Sequence, residues 1–133
     1  MGKKAKILLV DDDPDFVEST KAILKNKYDV VTALGGEEGL HKTKEEKPDL
    51  VILDIIMPDK DGFTVCRELK GDPELAKIPV LMLTAFSERY METSVAVSQG
   101  LTLEAEDFID KPITPAELLI RVERLLRSFK PSP

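Results

Sequence analysis

The chain has 133 residues, 42% of them hydrophobic and 33% charged, with a formal net charge of −6. That length predicts one domain, with a core over about residues 5–129 and a short tail at 130–133, large enough to fold without staples. The acid excess disfavours direct contact with nucleic acid or an anionic membrane, the single cysteine excludes an internal disulfide, and no apolar run approaches a membrane span.

In chain order, Ile7 to Val10 is a continuous apolar run, the pattern of a strand buried on both faces. Asp13-Pro14 then supplies a helix N-cap and a first-turn proline. Phe16, Val17, Thr20, Ile23 and Leu24 follow at helical spacing as one apolar face. Tyr28 to Ala33 predicts a second strand, and Gly35-Gly36 turns the chain into a polar helix near Glu37 to Glu46, ended by Pro48. Leu50 to Leu53 is a third apolar strand. Phe63, Cys66 and Leu69 mark a third helix that stops at Gly71-Asp72-Pro73. Pro79 to Leu83 predicts a fourth strand, Glu88 to Gln99 holds a weakly patterned fourth helix, and Phe108-Ile109 form a short fifth strand. Thr114-Pro115-Ala116-Glu117 is a capping box opening a last helix. Its apolar stripe is Leu118, Leu119, Val122, Leu125, Leu126 and Phe129. Strict alternation of strand and helix predicts an α/β fold, a doubly wound parallel sheet with helices on both faces.

The polar residues that end these strands carry the chemistry. In open α/β sheets the carboxyl edge of the strands is where ligands bind. Asp11 and Asp12 follow the first strand directly. Adjacent carboxylates repel each other, and a cation is the usual remedy. Asp13 and Asp15 read instead as acids favoured at a helix start. Asp54 ends a run of Leu, Val, Ile and Leu, where a lone carboxylate is costly unless paired or functional. Lys111 brings the opposite charge to the same edge. Thr84 would be unremarkable alone, but its strand-end position and its company make it a candidate phosphoryl ligand. Three carboxylates, a hydroxyl and an ammonium converging there suit a divalent cation and a phosphoryl group.

Other candidates read as structure. Asp59-Lys60-Asp61-Gly62 with Glu68 imitates a calcium loop, but a strand precedes it and its first ligand would be Met57, so it is a turn. Gly35-Gly36-Glu37-Glu38-Gly39 lacks dinucleotide-loop spacing. His41 lies on a polar helix and reads as solvated. Cys66 reads as core.

In order and spacing, the pieces Lys6-Ile7-Leu8-Leu9-Val10-Asp11-Asp12-Asp13, Val51-Ile52-Leu53-Asp54 running into Met57-Pro58-Asp59-Lys60-Asp61-Gly62, Thr84-Ala85 and Lys111-Pro112 resemble the receiver domain of two-component response regulators. The likeness covers nearly the whole chain. It implies a single receiver domain over residues 1–133 and the flavodoxin-like strand order 2-1-3-4-5. It implies that Asp54 is the phosphoacceptor. Mg²⁺, with Mn²⁺ as a substitute, would be held by Asp12, Asp54 and the backbone carbonyl of Ile56, with Asp11 acting through a water. Lys111 would counter the negative site, Thr84 and Phe108 would form the switch, and the Lys111-Pro112 bond would be cis. The expected phosphodonor is a sensor histidine kinase or a histidine phosphotransfer protein. The expected output is a downstream protein effector reading the fourth helix, fifth strand and fifth helix, with a phosphorylation-dependent homodimer as a further option. On this reading the chain is a cytoplasmic phosphoryl acceptor that assists its own phosphorylation and dephosphorylation, not a turnover enzyme. With no effector domain after Phe129, a stand-alone receiver is expected.

Two features depart from the family pattern. Gly100 to Asp107 is several residues longer than the usual approach to the fifth strand. It reads first as a surface loop, since insertions in loops are well tolerated, and its leucines beside an acidic patch suggest a role in association as the second reading. Ile56 and Phe86 are apolar where many receivers are polar, which predicts a long-lived phosphorylated form because attacking water finds no hydrogen bond there. The alternative class is a haloacid-dehalogenase-type small phosphatase, in which Asp11-Asp12-Asp13 would mimic the Asp-x-Asp motif. That reading lacks a cap domain and leaves Asp54 without a task.

Overall fold

The computed structural model describes residues 4–84 and 105–128. In chain order these form β1 (Lys6–Val10), α1 (Pro14–Leu24), β2 (Asp29–Ala33), α2 (Gly36–Glu46), β3 (Leu50–Asp54), α3 (Gly62–Lys70), β4 (Val80–Thr84), β5 (Asp107–Asp110) and α4 (Pro115–Ser128). The expected helix within Glu88–Gln99 lies outside the described residues, as do Phe129 and the tail. Here α4 is therefore the last of the helices predicted from sequence. All four strand pairings are parallel, and the order is β2-β1-β3-β4-β5.

Alternation along the strands divides the core between the two faces of the sheet. Leu8 and Val10 of β1 and Val51 and Leu53 of β3 pack with Leu40 of α2 and Phe63, Cys66 and Leu69 of α3. Ile7, Leu9, Leu50 and Ile52 point the other way, towards Val17 and Leu24 of α1 and Leu118, Val122 and Leu125 of α4. Both faces are covered, which is why these strands read as unbroken apolar runs.

Helix starts follow local chemistry. Asp13 caps α1 by accepting from the amides of Asp15 and Phe16. Asp61 caps α3 through the amide of Thr64, and Thr114 caps α4 through the amide of Glu117. Helix α2 has no cap of its own, because Gly35 precedes it. Asp59 supplies one from the β3–α3 loop, accepting from the amides of Gly36 and Glu37 at 3.0 Å each. Lys47 ends α2 in the left-handed region at φ 46°, ahead of Pro48.

Each strand differs from the sequence-based expectation at one end or both; β1 starts at Lys6, and β3 runs through Asp54. Tyr28 donates its amide to Leu24 and still belongs to the exit turn of α1, so β2 starts at Asp29. β4 starts at Val80, one residue past Pro79, and runs through Thr84. β5 extends past Phe108-Ile109 to Asp107 and Asp110, which pair with Leu81 and Thr84 of β4. Apolar content alone hid these polar ends.

Two acids of the extension leading into β5, Glu106 and Asp107, are engaged within the fold. Glu106 accepts from Lys70 Nζ at 2.8 Å and from the amide of Val80 at 2.7 Å, and its own amide donates to the Val80 carbonyl. Asp107 accepts from Arg121 of α4 at 3.0 Å. Both acids bind β5 into the fold. The remainder of that extension, residues 100–104, lies outside the described residues.

Candidate functional site

β1 and β3 are neighbours in the middle of the sheet, so their polar ends meet at its carboxyl edge. Asp11, Asp12 and Asp54 each offer a carboxylate oxygen, and these atoms lie within 4.8 Å of one another. Asp11 and Asp54 are buried, whereas Asp12 is exposed. The donors are all hard oxygens, the kind that a divalent cation such as Mg²⁺ or Ca²⁺ requires.

Lys111 follows β5 and enters the same edge. Its Nζ lies 2.9 Å from Asp11 Oδ2 and 3.3 Å from Asp54 Oδ1. The Lys111-Pro112 peptide bond is cis, as the resemblance implies. Asp11 uses its other oxygen to accept from the amide of Asp13 at 3.0 Å. Both oxygens of Asp11 are thus engaged by donors of the chain, while Asp12 faces solvent.

Burial at the end of β3 pushes the Asp54 carboxyl up to about 6, and the charges of Asp11 and Asp12 add to that rise while Lys111 opposes it. Burial also disfavours the Lys111 ammonium, but its hydrogen bond to Asp11 and the charges of Asp54 and Asp11 outweigh that and raise its pKa. Three clustered carboxylates against one ammonium leave an excess of negative charge that a cation would relieve.

The loop after Asp54 is held closely. A Cβ on Gly62 would collide with the backbone carbonyl oxygen of Asp54 and would lie 2.8 Å from the Ile55 Cα. Gly62 also donates its amide to the Ile55 carbonyl at 2.7 Å. Asp59 fastens the same loop to α2, and those amides hold its carboxyl below the usual range. Lys60 bridges Glu37 and Glu68 at 3.2 and 2.8 Å.

Of the residues singled out from sequence, the structure brings Asp11, Asp12, Asp54 and Lys111 together. Ile56 lies in the loop and packs partly buried against the α2–α3 side of the core. Thr84 ends β4, opposite Asp110. Phe108 is partly buried on the same side of the sheet as Ile56. Phe86 lies outside the described residues. His41 is exposed on α2, and Cys66 is buried, both as read from sequence. Sequence reasoning took Asp59-Lys60 for a plain turn and missed its ties to α2. It also placed Phe16 only on an apolar face, whereas the Lys111 ammonium sits 4.3 Å from the centre of its ring.

A family model described as the response regulator receiver domain matches residues 7–123. The chain belongs to this family: it is a receiver domain of the kind found in two-component response regulators. It is 42% identical over 123 residues to the alkaline phosphatase synthesis transcriptional regulatory protein PhoP of Bacillus subtilis, covering 92% of this chain and 48% of that protein. It is 41% identical over 128 residues to the response regulator PleD of Caulobacter vibrioides, covering 92% of this chain and 26% of that one. Among solved structures, the signal receiver domain of a signal transduction histidine kinase from Syntrophus aciditrophicus superposes with a TM-score of 0.83 at 37% identity, covering 97% of this chain and 95% of that one. The chain spans half or less of the length of these two curated relatives.

Proposed function

We propose that this receiver is a switch that takes a phosphoryl group onto Asp54. The observation that carries the reading is Asp54 itself, a buried carboxylate at a strand end beside Asp11, Asp12 and Lys111. A carboxylate oxygen of Asp54 attacks phosphorus in a phosphohistidine of a sensor kinase or phosphotransfer protein. An O–P bond forms, the P–N bond breaks, and the imidazole nitrogen keeps the electron pair. Lys111 neutralises charge on the phosphoryl oxygens. Asp12, Asp54 and the backbone carbonyl of Ile56 would hold Mg²⁺, or Mn²⁺ in its place. The engagement of both Asp11 oxygens by the chain favours an outer, water-mediated part for that residue. Bound there, the cation supplies charge neutralisation for the in-line transfer.

After transfer, the Thr84 hydroxyl bonds a phosphoryl oxygen, and the Phe108 ring takes the space vacated. That population shift is read on the surface around β5 and α4 by a protein effector or by a second copy of the chain. The reading holds for this domain whether it acts alone or within a longer protein, and it places the domain in the cytoplasm, where phosphorylated kinases present their donors. Among the described residues no helix is long and apolar enough to cross a membrane. The phosphatase alternative would leave Asp54 idle, whereas Asp54 stands within the cluster.

The test is labelling by radioactive acetyl phosphate or by a phosphorylated kinase. Wild type should take up one phosphoryl group in Mg²⁺ and none with chelator, and Asp54→Asn should take up none. Label persisting in Asp54→Asn would overturn the assignment, and continuous turnover of p-nitrophenyl phosphate would favour the phosphatase.

A further inference from the structure

We propose that Phe16 is a positioning residue for Lys111, its ring face holding the ammonium over the site without competing for the protons of that ammonium. This rests on the reading of Asp54 as acceptor and of Lys111 as its countercharge.

Among the described residues, three groups surround the Lys111 Nζ. Asp11 and Asp54 lie at 2.9 and 3.3 Å on the sheet edge, and the Phe16 ring centre lies at 4.3 Å on the α1 side. The ring is itself fixed. Phe16 stands in the first turn of α1, its amide 3.4 Å from the capping carboxylate of Asp13, and its side chain packs against the α1–α4 side of the core.

A lysine ammonium is a compact charge on a flexible four-carbon stem, with three protons to donate. Held by the carboxylates alone, it would have nothing on the α1 side to keep it over the site. A hydroxyl or carboxylate at position 16 would correct this only by taking a proton that the incoming phosphoryl oxygens need. An aromatic face attracts the cation through its quadrupole and takes none. The ammonium can then lean from Asp11 towards the new charge at Asp54 while remaining over the ring. Core packing alone would ask only for an apolar side chain of similar size, which separates the two roles.

The experiment measures the rate of labelling by acetyl phosphate, a donor that needs no kinase surface, in saturating Mg²⁺. Phe16→Leu keeps apolar bulk and loses the π face, whereas Phe16→Tyr keeps the face. Phe16→Leu should label roughly 3- to 10-fold more slowly, and Phe16→Tyr should stay within about twofold of wild type. Mn²⁺ affinity, read by water-proton relaxation, should be unchanged in both. In a Lys111→Ala background, Phe16→Leu should add no further slowing, because the two residues act as one unit. Labelling of Phe16→Leu at the wild-type rate, equal slowing of both Phe16 variants, or undiminished slowing in the Lys111→Ala background would overturn the proposal. Label persisting in Asp54→Asn would instead remove the acceptor assignment beneath it.

Discussion

Lys111 donates to Asp11 at 2.9 Å across 100 residues of sequence, and Asp11 is almost wholly buried. The ammonium therefore stands between two buried carboxylates, Asp11 and Asp54, that would otherwise face each other uncompensated. Lys111→Ala should destabilise the metal-free protein by about 1–3 kcal/mol, less than for a fully buried pair because the lysine is partly exposed. Divalent cation should recover much of that loss. Urea melts in chelator and in Mg²⁺ would show it, and equal midpoints for wild type and variant in chelator would contradict it.

The raised Asp54 carboxyl sets a pH dependence. Its value in the folded protein is about 6, against about 3.9 for an unfolded aspartate. Between these values the folded state binds more protons than the unfolded one, so metal-free stability falls as pH rises from about 4 to about 6. The expected fall is on the order of 1–3 kcal/mol, and Asp54→Asn should remove it. Cation binding requires the carboxylate, so Mn²⁺ affinity should weaken as pH drops through about 6. A metal-free stability profile identical in wild type and Asp54→Asn would count against the shift.

Gly62→Ala should damage the site without touching a charged residue. The added Cβ would strike the backbone at Asp54 and Ile55, which cannot give way as a flexible side chain would. A loss of about 1–3 kcal/mol is expected, typical of overpacking, together with at least a severalfold weaker Mn²⁺ affinity. Calorimetry and Mn²⁺ titration would measure both. Full stability with unchanged affinity would show that the loop accommodates a methyl group freely.

The Glu106–Lys70 pair should behave as an internal tie. Lys70 Nζ donates to the carbonyls of Ala76 and Ile78 and to Glu106, which accounts for its three protons. Glu106 also accepts from the amide of Val80. Glu106→Ala should cost about 2–4 kcal/mol by stranding an ammonium and an amide together, and Glu106→Gln less, since it retains acceptors. Melts of both variants and of Lys70→Met would check the order, and parity between the Ala and Gln variants would refute it.

What the sequence discloses and what it hides divide along a physical line. Apolar runs such as Leu50–Leu53 and the period of Leu118, Val122 and Leu125 are local consequences of burial, so the elements could be read directly. Asp11, Asp12 and Asp54 could be read because charged groups abutting such runs need an external reason to be there. Asp59 could not, because its partners are backbone amides of α2, and amides leave no mark in a sequence. Glu106 and Arg121 were equally hidden, since each looks like an ordinary surface charge until the partner is known. The contact of Phe16 with Lys111 joins the two ends of the chain, and no local pattern encodes it.

The strand order has a consequence for how the protein is made. β1 is synthesised first, yet both its neighbours, β2 and β3, come later in the chain. Its two edges must wait for them. The cluster stays incomplete until Lys111, beyond the last strand, has left the ribosome and reached Asp11. A nascent chain stalled before that residue carries Asp54 without its countercharge. On the Asp54 reading, acceptance of a phosphoryl group waits until Lys111 has joined the carboxylates.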